Sequence, residues 1–477
     1  MKLNKIIISS IIALATLGAC REDFLDEKPV NRLALEDAIT NEGTLTTAVN
    51  GLYNFLGTPE TFGGNIQTLN ELLGDNAFVS SANSGRFSTT RNTDLSFFTT
   101  QNGYFRTIWE DLYRTINNTN IILSFEGKIP DDPNVSGTPD NLFAQAKAVR
   151  ALCYYQLVNF YSEDYGRGNQ DLGVPIVLDF NVERKPARNT IQEVYTQILK
   201  DLNEAEGTIN NSNNKKIGKT AVQLLLSRVY LSQKNYTKAN EYAQLVLDNA
   251  SHTLLPASQV STFFTLDGES NSETIFQIDY NTNKTNGSGF VSTWYSGGTY
   301  RQNFATRAFY DKLDDKDVRK NTWYKITGAS VTRDGVDILQ TYPDTPKPVD
   351  VWKYTSNVRD AVILRKTEAV FNQIEALYHT NPTLAAERLQ TWVSANRIED
   401  YTVTATGTAL LQEILFQKNI EFFLEGFRYQ DLKRNGLSYT NPQTGVTLTP
   451  NDVGFKAFYI PEYETNNNTN IKQFPTN

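Results

Sequence analysis

The chain has 477 residues and a formal charge of −8, from 45 Lys and Arg against 53 Asp and Glu. That length allows two or three domains or one large helical array, and the acidic balance argues against nucleic acid and against a basic membrane-surface patch. Two cysteines and two widely separated histidines, His252 and His379, argue against a disulfide framework and against a histidine-built zinc site.

The first element is a basic start, Lys2 and Lys5, followed by an apolar run from Ile6 to Leu17 and then Leu17-Gly18-Ala19-Cys20. A positive segment, a short apolar segment and small residues make a secretory signal. At about a dozen residues the run is shorter than the roughly 20 that span a bilayer. Leu-Gly-Ala-Cys looks like a bacterial lipobox, so residues 1–19 are expected to be removed and Cys20 to carry lipid. One acyl chain holds only marginally, at about 0.8 kcal/mol per buried CH₂, whereas two or three anchor firmly. Residues 20–34 read as an acidic tether, and Cys153, between Leu152 and Tyr154, as a small core residue.

Residues 35–250 read as a helical scaffold. Apolar stripes at helical spacing predict helices over 35–56, 104–123, 142–160 and 194–209, the last opened by a capping box, Thr190 to Glu193. Between the first two lies a long stretch, 57–103, without sustained period. Helices over 219–232 and 236–249 carry Tyr230, Tyr236 and Ala239 at the spacing of a tetratricopeptide unit, in which aromatics fill the gap between paired helices and the alanine allows close approach. Residues 251–361 change character: Glu273–Tyr280 alternates like a strand, and loops rich in Asn, Gly and Ser carry many aromatics. Helical pattern returns over 361–378, 382–395 and 409–424, within a segment placed at 362–436, and 437–477 forms an extension.

The segment Gln417–Gly436, QKNIEFFLEGFRYQDLKRNG, resembles the C-terminal signature of the SusD/RagB family, E-G-x-R-x-x-D-L-K-R-x-G, through Glu425, Gly426, Arg428, Asp431, Leu432, Lys433, Arg434 and Gly436. Gln417 and Asn419 depart from the usual glutamate and arginine. Trp109–Asn120 resembles the family's L-Y-x-x-I-x-x-A-N helix with Thr119 in place of alanine. Ala146–Leu157 resembles its A-x-x-x-R-A-x-x-Y-x-x-L helix, and Ala457–Glu462 its I-P-x-x-E close. The resemblance implies an all-α body of about four tetratricopeptide-like pairs with an irregular, loop-rich module carrying short strands. It also implies an outer-membrane lipoprotein facing the cell exterior, which captures oligosaccharide and delivers it to a SusC-like TonB-dependent porin. No cofactor or metal is implied, and the membrane is met by the lipid anchor alone.

Sugar rings need flat apolar platforms beside amides or charges. Trp294, Tyr295 and Tyr300, beside Arg301 and Asn303, supply that mixture. Asp75, Asn76, Phe78 and Arg86 in the long loop, and Trp323 and Tyr324 further on, are added candidates. The same aromatics could instead fill the small core of the irregular module. Glu421, Glu425 and Arg428 share a face if their helix continues, and read as an ion cluster pinning the C-terminal helix rather than as an acid/base pair. Asp311, Asp314, Asp315 and Asp317 read as a solvated turn. No nucleotide or nucleophile fingerprint occurs, so a non-catalytic receptor is expected. A peptide cargo, a glycoside hydrolase whose carboxylates meet only in space and a protein-binding scaffold are the competing readings.

Overall fold

The computed structural model describes residues 38–473 apart from 82–84, 93–96, 135–137, 168–170, 182, 266–271, 282, 286, 298–301, 327–331, 334–335, 338–345, 355, 357 and 453. Cys20, Tyr300 and Arg301 therefore lie outside the described residues.

Thirteen α-helices occur among those residues: α1 Glu42–Leu56, α2 Asn65–Leu72, α3 Gly103–Leu123, α4 Pro139–Tyr161, α5 Ile191–Thr208, α6 Lys219–Ser232, α7 Tyr236–Asp248, α8 Arg307–Asp311, α9 Lys366–Thr380, α10 Pro382–Asn396, α11 Gly407–Phe422, α12 Arg428–Arg434 and α13 Glu462–Asn467. The long ones stack in succession, α3 on α4, α4 on α5, α5 on α6, α6 on α7. The stack then resumes in space where it breaks in sequence, because α7 packs on α9 and α9 on α10. This is the tetratricopeptide-like array expected from the periodicity.

Local chemistry explains the boundaries. The Thr190 hydroxyl accepts from the Glu193 amide at 3.2 Å while the Glu193 carboxylate accepts from the Thr190 amide at 2.8 Å, so both orphan donors at the start of α5 are satisfied. Ala239 is fully buried, and its carbonyl accepts from the Ser227 hydroxyl at 2.9 Å, a close approach that a larger side chain would prevent. Tyr236 stacks on His379 at the end of α9, with centroids 4.0 Å apart. Asn120 and Arg150, from two of the family-like helices, meet: Arg150 donates to Asn120 at 2.9 Å and grips Asp201 of α5 with two bonds of 2.8 Å. Cys153 is a buried free thiol.

Ten short strands accompany the helices: β1 Ala77–Val79, β2 Thr274–Ile278, β3 Asn303–Ala305, β4 Tyr324–Ile326, β5 Thr332–Arg333, β6 Val336–Asp337, β7 Val349–Val351, β8 Ala361–Arg365, β9 Tyr439–Thr440 and β10 Thr447–Leu448. The largest sheet runs β1-β3-β7-β4, with Phe78 opposite Phe304 and Val79 opposite Asn303. It brings the early long loop onto the irregular region.

Four expectations are corrected. Residues 361–365 are strand β8, paired antiparallel with β2, since Ala-Val-Ile-Leu-Arg is buried on every side, and the helix begins only at Lys366. The stretch 57–103 contains α2, every residue of which is buried; its apolar Ile66, Leu69 and Leu72 cover only about two turns, too short a run to read as a sustained period. Asp317 is not solvated: it is 3% exposed and holds Arg319. Helix α11 ends at Phe422, because Leu424 and Gly426 take φ of +65° and +88°, so Glu421, Glu425 and Arg428 do not share one helical face.

Glu421 and Glu425 join one ion cluster all the same, whereas Arg428 pairs with Asp75. Glu421 receives Arg397 at 2.7 and 2.8 Å, Arg365 at 2.8 Å and Arg319 at 3.1 Å. Glu425 receives Lys353 at 2.5 Å and Arg365 at 2.7 Å. Burial would raise the Glu421 carboxyl, but the three guanidiniums hold it well below the usual carboxylate range. Asp431 binds Lys418 at 2.9 Å and Arg434 at 2.6 Å, fixing α12 to α11. Removing one partner strands the others as buried charge. Glu421→Ala is predicted to lower stability by about 3–5 kcal/mol in urea melts; a change within about 0.5 kcal/mol would show the cluster to be dispensable.

A second buried acid behaves oppositely. Glu71 of α2 is 1% exposed and accepts from the Leu424 amide at 3.1 Å. Burial pushes its carboxyl up to about 8 despite the Leu424 amide and nearby Lys353 and Arg428. The folded chain thus keeps a proton that the unfolded chain loses above about 4.3, so this contribution to stability is full below that pH and falls until about 8. Glu71→Gln keeps an acceptor but cannot ionise. Its urea midpoint is predicted to fall less than the wild type's between those limits, and parallel curves would show that Glu71 is not the source.

Candidate functional site

The candidate site lies where the early long loop meets the start of α3. Ser88–Asn92 forms a 3₁₀ turn, positioned by Phe87, a non-glycine residue with φ of +59°. Such a conformation persists only where the surroundings hold it. Here the Phe87 ring is fully buried and lies face to face with Tyr104, centroids 4.6 Å apart at 9°, and edge-on to Trp294 at 4.8 Å. Its amide donates to the Tyr104 hydroxyl at 2.5 Å, and its carbonyl accepts from the Thr90 hydroxyl at 2.6 Å. Arg91 donates to the carbonyls of Ser80 and Ser81 at 3.1 and 2.8 Å, which closes the loop on itself.

This geometry leaves a cleft of about 460 Å³ lined by Ser88, Thr89, Phe97, Thr99, Gln101 and Tyr104, among others. The volume falls in the range of small-ligand sites, about 300–1,000 Å³. Tyr104 is half-buried, with one face against Phe87. Burial raises its phenol, with the Phe87 amide and the Arg86 charge opposing, so it stays protonated at neutral pH. Asn102 is committed to capping α3, accepting from the Tyr104 and Phe105 amides at 3.0 and 3.3 Å. The rest of the lining is the Phe97 ring, hydroxyls and amides, a surface suited to a polar, uncharged ligand.

Of the residues proposed from sequence, Arg86 is exposed, next in sequence to Gly85 of the lining, with its guanidinium 5.4 Å from the Trp294 ring. Phe78 is half-buried and packs on Phe304 at 5.9 Å. The others are engaged elsewhere. Asp75 holds Arg428 through two bonds of 2.8 and 2.6 Å, and Asn76 is 8% exposed, its carbonyl taken by the Thr306 amide. Trp294, Tyr295, Asn303, Trp323 and Tyr324 are each at most 2% exposed. They make the core of the irregular region rather than an open platform: Trp323 donates to the Val260 carbonyl at 2.9 Å and Tyr324 to the Ile420 carbonyl at 2.6 Å. Composition identified a ring-rich region but not which way its rings face. Gly64 shows how tightly they pack, since a Cβ there would sit 2.8 Å from Trp294 and 2.6 Å from the Gly289 carbonyl.

Tyr104, Ser88, Thr89 and Thr99 were missed. Tyr104 opens an amphipathic stripe and read as part of it, and the hydroxyls sit in a stretch whose only signal was length and polarity. Glu425, Gly426 and Asp431 of the signature play structural parts, and Gly426 is needed for its backbone angle. Among the described residues no cluster of metal-ligating side chains occurs, and no helix is long and apolar enough to cross a membrane.

Comparison with known proteins agrees with this architecture. Residues 23–231 match a SusD-like family described as starch-binding and associating with the outer membrane, and residues 211–477 match the SusD family model proper. The chain is 26% identical to SusD-like protein P2 of Formosa agariphila over 96% of both chains, and 23% identical to the starch-binding protein SusD of Bacteroides thetaiotaomicron over 69% of this chain and 72% of that one. A putative sugar-binding protein of Bacteroides vulgatus superposes with a TM-score of 0.78 at 25% identity, covering 92% of this chain and 99% of its own. The chain belongs to the SusD/RagB family.

Proposed function

We propose that this chain is a non-catalytic, lipid-anchored receptor of the outer membrane, facing the exterior, that binds oligosaccharide in the Tyr104 cleft and delivers it to a SusC-like TonB-dependent porin. Family membership supports the class of function: relatives are described as starch-binding and sugar-binding. The observation that carries the site is the cleft itself, a ring face at Tyr104 with the Ser88, Thr89 and Thr99 hydroxyls around it. Tyr300 and Arg301, which lie outside the described residues, are proposed to bind ligand as well.

Peptide is the second reading, favoured by one observation. With Trp294, Tyr295, Trp323 and Tyr324 buried, the rim offers more hydrogen-bonding groups than stacking faces. Titration calorimetry against a glycan panel and a peptide pool separates the two. The prediction is that glycans bind and that Tyr104→Ala weakens them about tenfold, the loss of one aromatic contact, with the fold intact by circular dichroism. Binding to peptides alone would overturn the cargo, and an unchanged Tyr104→Ala would overturn the site. Labelled palmitate entering the wild type but not Cys20→Ala tests the anchor.

A further inference from the structure

A second cleft, of about 510 Å³, lies between α3 and α13, and the reading above leaves it unused. Its floor is Trp109 and Tyr113, packed with centroids 4.7 Å apart. One wall is Tyr463, 62% exposed and the most exposed large apolar side chain among the described residues. Asn117, one turn beyond Tyr113 on the same face of α3, lines the cleft and is half-buried. Glu464 also lines it; burial raises its carboxyl, opposed by a hydrogen bond from the Trp109 side chain. The exposed Tyr463 ring, the Asn117 amide and the Glu464 carboxyl form the mixture of flat apolar face and hydroxyl-directed partners that a sugar ring requires.

The walls are braced against each other, so the cleft is preformed. Asn468 donates to the Pro186 carbonyl at 2.8 Å and Asn470 to the Lys185 carbonyl at 2.8 Å. Arg188, 7% exposed, donates to the Gly173 and Tyr161 carbonyls at 2.6 and 2.8 Å and to the Lys472 carbonyl at 3.2 Å. Tyr113 donates to the Pro175 carbonyl at 2.7 Å. Lys185, Pro186 and Arg188 are thereby fixed to the C-terminal extension, and Pro175 to α3.

Helix α13 also touches the first cleft. The Glu462 amide donates to the Thr100 carbonyl at 3.0 Å, and its carboxylate accepts from Gln101, a residue of the first cleft's rim, at 2.9 Å. One short helix thus forms the divide between two sugar-sized hollows. We propose that the α3–α13 cleft is a second saccharide subsite, with Tyr463 as its stacking face and Asn117 as a hydroxyl partner. A chain that fills the Tyr104 cleft crosses α13 and engages it. Two linked contacts raise affinity for long chains without demanding tight grip at either.

The inference rests on saccharide binding at the first cleft, and the test keeps the two apart. The mature chain is titrated with the disaccharide and hexasaccharide of α-1,4-glucan, β-1,4-glucan and xylan. Tyr463→Ala is expected to weaken the bound hexasaccharide about tenfold, and Asn117→Ala to weaken it in the same direction. Tyr463→Phe, which keeps the ring, should bind as wild type, and disaccharide binding at the Tyr104 cleft should persist in all three. Hexasaccharide affinity unchanged in both alanine variants overturns the second subsite and leaves the first standing. A wild-type chain that binds no member of any series overturns both.

Discussion

The structure depends on a balance of buried charge. Glu273, Asp317, Glu421 and Glu425 are matched by Arg319, Lys353, Arg365 and Arg397 in one connected cluster, and every member is almost fully removed from water. An isolated ion there would cost several kcal/mol of desolvation. Pairing offsets that cost only when all partners arrive together, so the cluster fixes the chain's path. Its members come from the residue before β2, β8, the turn after α8, the exit of β7, the residue after α10, the end of α11 and the turn that follows it. Lys353 shows the tension: burial pulls its amine down to about 8 even with Glu425 beside it. The cluster is a joint between the helical stack and the irregular region.

From that joint the structure extends to the candidate site in short steps. After α11 the backbone turns through Leu424 and Gly426 and delivers Arg428 to Asp75. The Leu424 amide meets Glu71. These contacts hold α2 and β1, and β1 pairs with β3. The buried Trp294 then braces Phe87, and Phe87 braces Tyr104. The rings first suspected of touching ligand support the one that faces the cleft. A rigid layer behind a half-exposed ring is what a binding face needs if the side chain is not to pay ordering entropy when ligand arrives.

Much of this was legible in the sequence, for physical reasons. Amphipathic helices announce themselves because one face must be wet, so α3, α5 and α7 were placed within a few residues. The Thr190–Glu193 box was readable because capping is local. The signature around Arg428 pointed to the family, yet its partners were hidden: Asp75 takes Arg428 from 353 positions away, and Arg365 bridges Glu421 and Glu425 from 56 and 60 positions away. Strand β8 escaped because an element apolar and buried on all sides carries no amphipathic period, and helix α2 because eight residues are too few to sustain one. The ring-rich loops were found by composition, which says how much aromatic surface exists but not which side of the chain is covered.

The central claim is that ligand meets the Tyr104 cleft and not the buried rings. Hydrogen-exchange mass spectrometry on the mature chain, with and without the oligosaccharide it binds most tightly, tests this directly. The account predicts slowed exchange in peptides covering residues 85–92 and 99–104. Slowing confined to the α6–α7 face, with those two stretches unchanged, would contradict it.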